Sequence, residues 1–454
     1  MVAAGRFAPG HLGELTQLVP FEMVDDALER TGAVQSRVRL LPSRVVVYLL
    51  LAGCLFAELG YGQVWHRLTA GLHGLAVAAP TASALRQARQ RLGVAPLRAL
   101  FDLLRGPAAT TAAGAVSWRG LLVCAVDGTL MSVADSAANL TAVVKQRCNH
   151  GAGGYPTVRV LALVACGTRS VIDAVFGPAS IGEPGYAARL AGSLRPGMLL
   201  LADRNFAAAD LLTHLAATGA DLLVRCKSGR RLPVRSRHRD GSYLSQLGSL
   251  AVRVIEAEIG IVTSAGRRTG TYRLVTTLLD PHRYPAGELI TLYHQRWEIE
   301  TVYLELKSTI LGGRVLRART PAGIDQEIYA LLVTYQVLRT AMTDATDTIP
   351  GLDPDRASFT IALHTARDQV IQAASVIADT VIDLVARSAG GSWPRSCPTD
   401  ASGPNPASSN APSPSTTPAA RTSTAPPTKP PSTSTSSTPD LDSRPTRQTE
   451  RRWS

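Results

Sequence analysis

Two short apolar runs, each stopped by an aspartate, constrain this chain more than anything else in it. LLVCAVDGT ends on Asp127 and MLLLADRNF on Asp203. Runs this short, rich in Val and Leu and without polar alternation, read as strands buried on both faces of an α/β sheet. TVRVLALVACG, SVIDAVFG and DLLVRCK have the same character, and AADLLTHLAATGA between them has helical period with Gly219 as its stop. An α/β core is therefore predicted from about residue 116.

The flanks of that core read differently. From about Pro20 to Leu104 the chain is predicted helical: FEMVDDALERTGA, then VVVYLLLAGCLFA, then TASALRQARQRLGVAPLRALFDLL with Thr81 or Ser83 as N-cap. The run Val45–Ala57 lies between Arg44 and Glu58. It falls short of the roughly 18–20 residues that span a bilayer, so it predicts a buried helix. Arg86, Arg89 and Arg98 lie near one face of the last stretch, where they could follow a phosphate backbone or simply meet water. Residues 228–286, with LPVRSR, GSYLSQL, AVRVIEAEIGIVT and TYRLVTTLLD, predict a β-rich insertion of antiparallel strands. Helical period returns from Ala286 to about residue 388. The last residues are dominated by Pro, Ser, Thr and Ala; they offer too little apolar surface to offset ordering entropy, which predicts a disordered tail. The expected division is thus 1–115, 116–227, 228–286, 287–387 and 388–454.

Charge and cysteines narrow the function. The 47 Lys+Arg outnumber 35 Asp+Glu, a net charge of +12 that suits a polyanionic partner such as nucleic acid or a membrane surface. Cys54, Cys124, Cys148, Cys166, Cys226 and Cys397 form no CxxC pair and no Cys/His ligand spacing, which argues against a zinc site or a disulfide framework. With no secretory pattern at the N-terminus and no span, a cytoplasmic protein outside the membrane is expected.

Aspartates at the C-terminal ends of strands point into the crevice above an α/β sheet, where they can hold divalent metal through oxygen; each alone could equally be a helix N-cap or a turn residue. A third carboxylate comes from YHQRWEIETVYLELK. At about 100° per residue, Tyr293, Arg296, Glu300 and Lys307 fall at about 0°, 300°, 340° and 320°, one narrow stripe. Leu292, Ile299, Val302, Leu306 and Ile310 form the adjoining core-facing stripe, so the polar residues are expected to line a cleft. Glu298 and Glu305 project elsewhere and read as solvated charges, and Trp297 could stack on a base or pack inward.

The spacing Y-x2-R-x3-E-x6-K, with VDGT and ADRNF upstream in order, resembles the signature of DDE transposases of the insertion sequence 4 type. FEMVDDALERTG, TASALRQARQRLG and GGYPTVRVLALVACGT resemble that family as well; Asn205, where many relatives have Gly or Ala, departs from it. The resemblance implies an α/β fold with a ribonuclease-H-like core, a β-rich insertion and an α-helical, DNA-binding N-terminal domain. It implies that Asp127, Asp203 and Glu300 are catalytic and hold two Mg2+ (or Mn2+) ions. Tyr293, Arg296 and Lys307 would be DNA-binding residues gripping phosphate. The activity implied is cut-and-paste transfer: cleavage at insertion-sequence ends and joining of the 3′-OH to target DNA. Its partners would be double-stranded DNA with terminal inverted repeats and target DNA, with a dimer on DNA and a place in the bacterial nucleoid. A ribonuclease-H-like nuclease without strand transfer, or a decayed DNA-binding relative, is the alternative. RCKSGRRLPVRSRHR and GGRVLRARTP flank this region and are expected along the DNA.

The family ends in a basic segment rather than a Pro/Ser/Thr tail. Codons for ASSNAPSPSTTPA, from Ala407 to Ala419, can be chosen so that a neighbouring frame reads VVKRAISKYNA. A frameshift between about Asp383 and Ala407 is the expectation that follows, and gene sequencing checks it.

Overall fold

The structure, a computed structural model, describes residues 10–376 apart from 38, 71–75, 109–116, 149–150, 264–265, 348–353 and 355–356. The expected tail and frameshift lie outside the described residues.

Five helices come first: α1 Phe21–Arg30, α2 Ser43–Leu55, α3 Tyr61–Thr69, α4 Ala82–Leu92 and α5 Ala95–Leu104. Helix α2 is apolar all round and buried along nearly its whole length, the solution for a run too apolar for a surface and too short for a membrane. No described helix is long and apolar enough to cross a bilayer. Thr81 caps α4, its Oγ1 accepting from the Ala84 amide at 3.2 Å, and Gly93 ends it with φ +72°.

Strands β1 Ser117–Trp118 and β2 Leu121–Ser132 follow, then the short helix α6 Ala137–Leu140, then β3 Lys145–Cys148, β4 Gly151–Ala165 and β5 Val171–Pro178. Helix α7 Glu183–Leu190, β6 Met198–Ala202, helix α8 Ala209–Ala216 and β7 Asp221–Cys226 complete the first part of the core. Pairing runs β5–β4–β2–β6–β7, antiparallel across the first three strands and parallel across the last three. That mixed order is the ribonuclease-H-like core implied by the motif resemblance.

Alternation along β2 separates two apolar layers. Val123 and Ala125 face the layer that contains the N-terminal and C-terminal helices, whereas Cys124 and Val126 face α7 and α8. The remaining strands, β8 Ser236–Arg237, β9 Tyr243–Leu247, β10 Leu250–Thr263 and β11 Gly266–Thr276, do not form a sheet of their own. β11 pairs with β7 as well as β10, so these strands extend the core sheet edgewise. Of LPVRSR only Ser236 and Arg237 are strand.

The chain then returns through α9 Ala286–Leu292 to the glutamate segment and on to the long helix α11 Pro321–Asp347 and α12 Phe359–Val376. The glutamate segment is not one regular helix. It is 3-10 over Tyr293–Trp297, α over Glu298–Leu304 (α10) and π over Glu305–Ile310. A uniform 100° per residue therefore holds only for its middle.

Candidate active site

The register of two parallel strands sets the position of the aspartates. The last β2–β6 pair is Val126 with Ala202, so Asp127 and Asp203 are the next residues of neighbouring strands, where the spacing between strands is about 4.8 Å. Beyond that point the strands part. β2 continues to Ser132 paired only with β4. The chain leaves β6 through Asp203 (φ −79°, ψ 171°) into a 3-10 turn, and no cap bond uses the Asp203 side chain. The N-cap alternative is thus not what holds it.

Asp127 faces the layer from which the glutamate helix descends. Its Oδ1 accepts from the Gly128 amide at 2.8 Å and its Oδ2 from Arg296 Nη1 at 3.1 Å. Burial pushes its carboxyl up to about 6; the Gly128 amide and Arg296 oppose that shift, while Glu183 and Glu300 add to it. The other arm of the same guanidinium, Arg296 Nη2, donates to Glu300 Oε1 at 3.2 Å. Burial disfavours the charge on Arg296, but Tyr293, Asp127, Glu300 and Asp203 outweigh it, and its pKa is raised.

Lys307 Nζ donates to Thr129 Oγ1 at 3.2 Å, on the same face of β2 as Asp127. Tyr293 is buried, and its hydroxyl donates to the carbonyl of Ala202, 3.1 Å away, which fixes the strand end carrying Asp203. Its ring meets Tyr272 edge-on at 6.3 Å, and Arg225 stacks on Tyr272 at 3.8 Å.

The six candidate residues thus share one crevice, but the carboxylates are not gathered as metal ligands. Among the described residues no three acidic, imidazole or thiol groups stand at metal-binding spacing, and the cation held by both Asp127 and Glu300 is the Arg296 guanidinium. As a donor set the three carboxylates suit a hard divalent ion, since every ligand atom is oxygen and Asp127 is partly buried with its charge under-compensated.

Three expectations need correction. Glu298 and Glu305 are not solvated. Glu298 Oε2 accepts from Arg169 Nε at 2.5 Å, and Glu305 is buried against Arg339 and Tyr335, 2.9 Å from the Tyr335 hydroxyl. In GGRVLRARTP, Arg317 is a cross-link rather than a DNA-facing charge. It donates to the carbonyls of Gly53 and Leu59 at 2.9 Å and pairs with Glu327 at 3.0 Å. Of the three N-terminal arginines, Arg89 lies over Tyr61 at 4.0 Å, while Arg86 and Arg98 are exposed. Trp297, left open by the sequence, is 47% exposed beside Arg296.

Sequence reasoning missed Tyr303. Its hydroxyl donates to the Asp127 carbonyl at 2.6 Å and accepts from the Ala162 amide at 3.0 Å, bridging β2 and β4 directly behind the carboxylate. On the same wheel it falls at about 280°, beside Arg296, which was the available signal. Gly128 was missed as well. A Cβ there would sit 2.7 Å from Glu183 Oε1, which is held by Arg159 at 2.7 Å.

Comparison with known proteins identifies relatives of the chain. Residues 9–102 match the family model for the insertion element 4 transposase N-terminal region, and residues 118–337 match the transposase DDE domain. The transposase InsG for insertion sequence element IS4 of Escherichia coli (strain K12) is 27% identical over 351 residues, 74% of this chain and 78% of that protein. InsZ of the same organism is 26% identical over 212 residues, 45% of this chain and 67% of that protein. A cryo-EM structure of the piggyBac transposase synaptic complex with hairpin DNA aligns at TM-score 0.45 and 9% identity over 83% of each chain. From these two family matches and the likeness to InsG, the chain belongs to the DDE transposases of the insertion sequence 4 type.

Proposed function

We propose that this transposase works by cut-and-paste: it cleaves insertion-sequence ends and joins the resulting 3′-OH to target DNA, with Asp127, Asp203 and Glu300 as its catalytic carboxylates. The observation that supports this best is the crevice where β2 and β6 part, in which Asp127 and Glu300 converge on one guanidinium beside Asp203. The three carboxylates would hold two Mg2+ or Mn2+ ions. The chemistry they would supply there is Lewis-acid assistance to a water or 3′-OH nucleophile and to the leaving 3′ oxygen.

The chain's other groups position DNA. Arg296, once released from the carboxylates, presents a planar fork to phosphate, and Lys307 adds a point charge two residues along β2 from Asp127. Tyr293 holds the Asp203 strand end through its bond to the Ala202 carbonyl. Tyr303 and the Gly128 amide fix Asp127 from behind. The partners are DNA ends with terminal inverted repeats and a target duplex. Because two ends must be synapsed, the active form is a dimer on DNA, and the protein works at the nucleoid in the cytoplasm. The segments 1–115, 116–227, 228–286 and 287–387 act as an end-binding region, the two parts of the core and the insertion between those parts.

The test uses end-labelled DNA from the flanks of the chain's own gene, a target plasmid and Mg2+. Strand-transfer products are expected from the wild type. Glu300→Gln should lower cleavage by at least about a thousandfold while end binding persists. Undiminished cleavage in that variant refutes the site, and cleavage without transfer favours the nuclease reading.

A further inference from the structure

The charged groups behind the Glu300 helix make an assembly that the chemistry does not use directly. Glu298, two residues before Glu300, and Glu305, five after it, both turn toward Arg169 in the β4–β5 turn. Arg169 Nε is 2.5 Å from Glu298 Oε2, and Arg169 Nη1 is 3.8 Å from Glu305 Oε1. The Arg169 carbonyl lies 3.1 Å from the Tyr335 hydroxyl, which also contacts Glu305 and accepts from Arg339 Nε at 3.1 Å. Arg339, buried in α11, pairs with both oxygens of Glu305. Two arginines therefore balance two glutamates in a neutral network with side chains 2% to 25% exposed.

Arg169 holds this position with φ +53°, a left-handed conformation that side chains other than Gly and Asn rarely adopt. A turn residue kept in an unfavourable conformation while its side chain spans both ends of a short helix points to a constraint on that helix. We infer that Arg169 is a positioning residue for Glu300: by clamping Glu298 and facing Glu305, it sets the rotation and height of α10 over Asp127. The need is local. α10 is only seven residues long and is bounded by a 3-10 turn and a π turn, so its own hydrogen bonds do little to fix its azimuth. Glu300 itself is tied only to Arg296 among the contacts described, the residue that the proposed function releases to DNA. A clamp on the opposite face keeps the carboxylate in place when that contact is given up. The inference rests on the proposed role of Glu300.

The variant Arg169→Gly separates clamp from fold. Glycine relieves the left-handed strain and Glu305 keeps Arg339 as its counter-charge, which offsets part of the loss of the Glu298 pair, so the variant should still unfold cooperatively, within several degrees of the wild type. Amide exchange across Glu298–Leu304 should nevertheless increase at least about tenfold, and metal-dependent end cleavage should fall at least about tenfold with end binding kept. Unchanged exchange in that segment overturns the inference whatever happens to cleavage. Faster exchange in the segment together with cleavage equal to wild type also overturns it. A wild type that cuts no end, with exchange still faster in the variant, leaves the clamp standing and sinks the proposed function instead.

Discussion

Replacing Asp127 by Asn should stabilise the protein while removing its proposed activity, and the size of the gain follows from the burial of one carboxyl. Its folded pKa is raised from 3.8 to about 6, burial being the largest cause. At 1.36 kcal/mol for each pH unit of displacement, that is about 3 kcal/mol of destabilisation once the group is ionised in both states. The attraction of Arg296 is already contained in that value. Partial exposure of the side chain, 22%, lowers the expected gain to about 1–3 kcal/mol at pH 7.5.

The sign follows from linkage. A carboxyl whose folded pKa lies above its unfolded one binds more protons when folded, so stability is lost as pH rises from about 4 to about 6 and is level above that. Urea unfolding in EDTA should therefore show Asp127→Asn ahead of wild type by its full margin at pH 7.5, and by about 1 kcal/mol at most at pH 4.5. Adding Mg2+ should close the gap by stabilising the wild type alone, as expected for a ligand that binds only the folded state. An Asn variant no more stable than wild type at pH 7.5, or a gap indifferent to pH, refutes the reasoning.

Two other substitutions probe the supports of the same carboxylates. Glu305→Ala leaves the guanidinium of Arg339 buried without its main partner and should cost about 3–5 kcal/mol in urea unfolding; a loss below about 1 kcal/mol would mean the pair is not buried in solution. Tyr303→Phe leaves the Asp127 carbonyl and Ala162 amide without the bridge they share. It should cost about 1–3 kcal/mol and reduce end cleavage more than end binding, a split that kinetics with saturating DNA would reveal.

The legible parts of this fold are those encoded locally. Asp127 and Asp203 stood out because each ends an apolar run, and their adjacency follows from the parallel register of those two runs. The stripe from Tyr293 to Lys307 survived although the helix changes pitch twice, because Arg296 and Glu300 lie on either side of a single junction. What did not survive is whatever depended on distant partners. Glu305 looks solvated until Arg339, 34 residues later, is packed against it. The strand pattern of β10 and β11 was plain, but a period of two does not say which edge a strand will join, so their continuity with β7 could not be read. Arg317 looked like one more basic surface residue because its acceptors, the carbonyls of Gly53 and Leu59, are more than 250 positions earlier.

That continuity bears on how the enzyme can be trimmed. Because β11 completes the outer edge of β7, residues 228–286 cannot be treated as a removable accessory. Excision would strip Leu223, Val224 and Cys226 of backbone partners along a strand that is otherwise interior, creating an open, apolar edge of the kind that seeds aggregation. A minimal version of this protein would have to retain the last strand of the insertion, or carry charges at that edge, before its catalytic core could stay in solution.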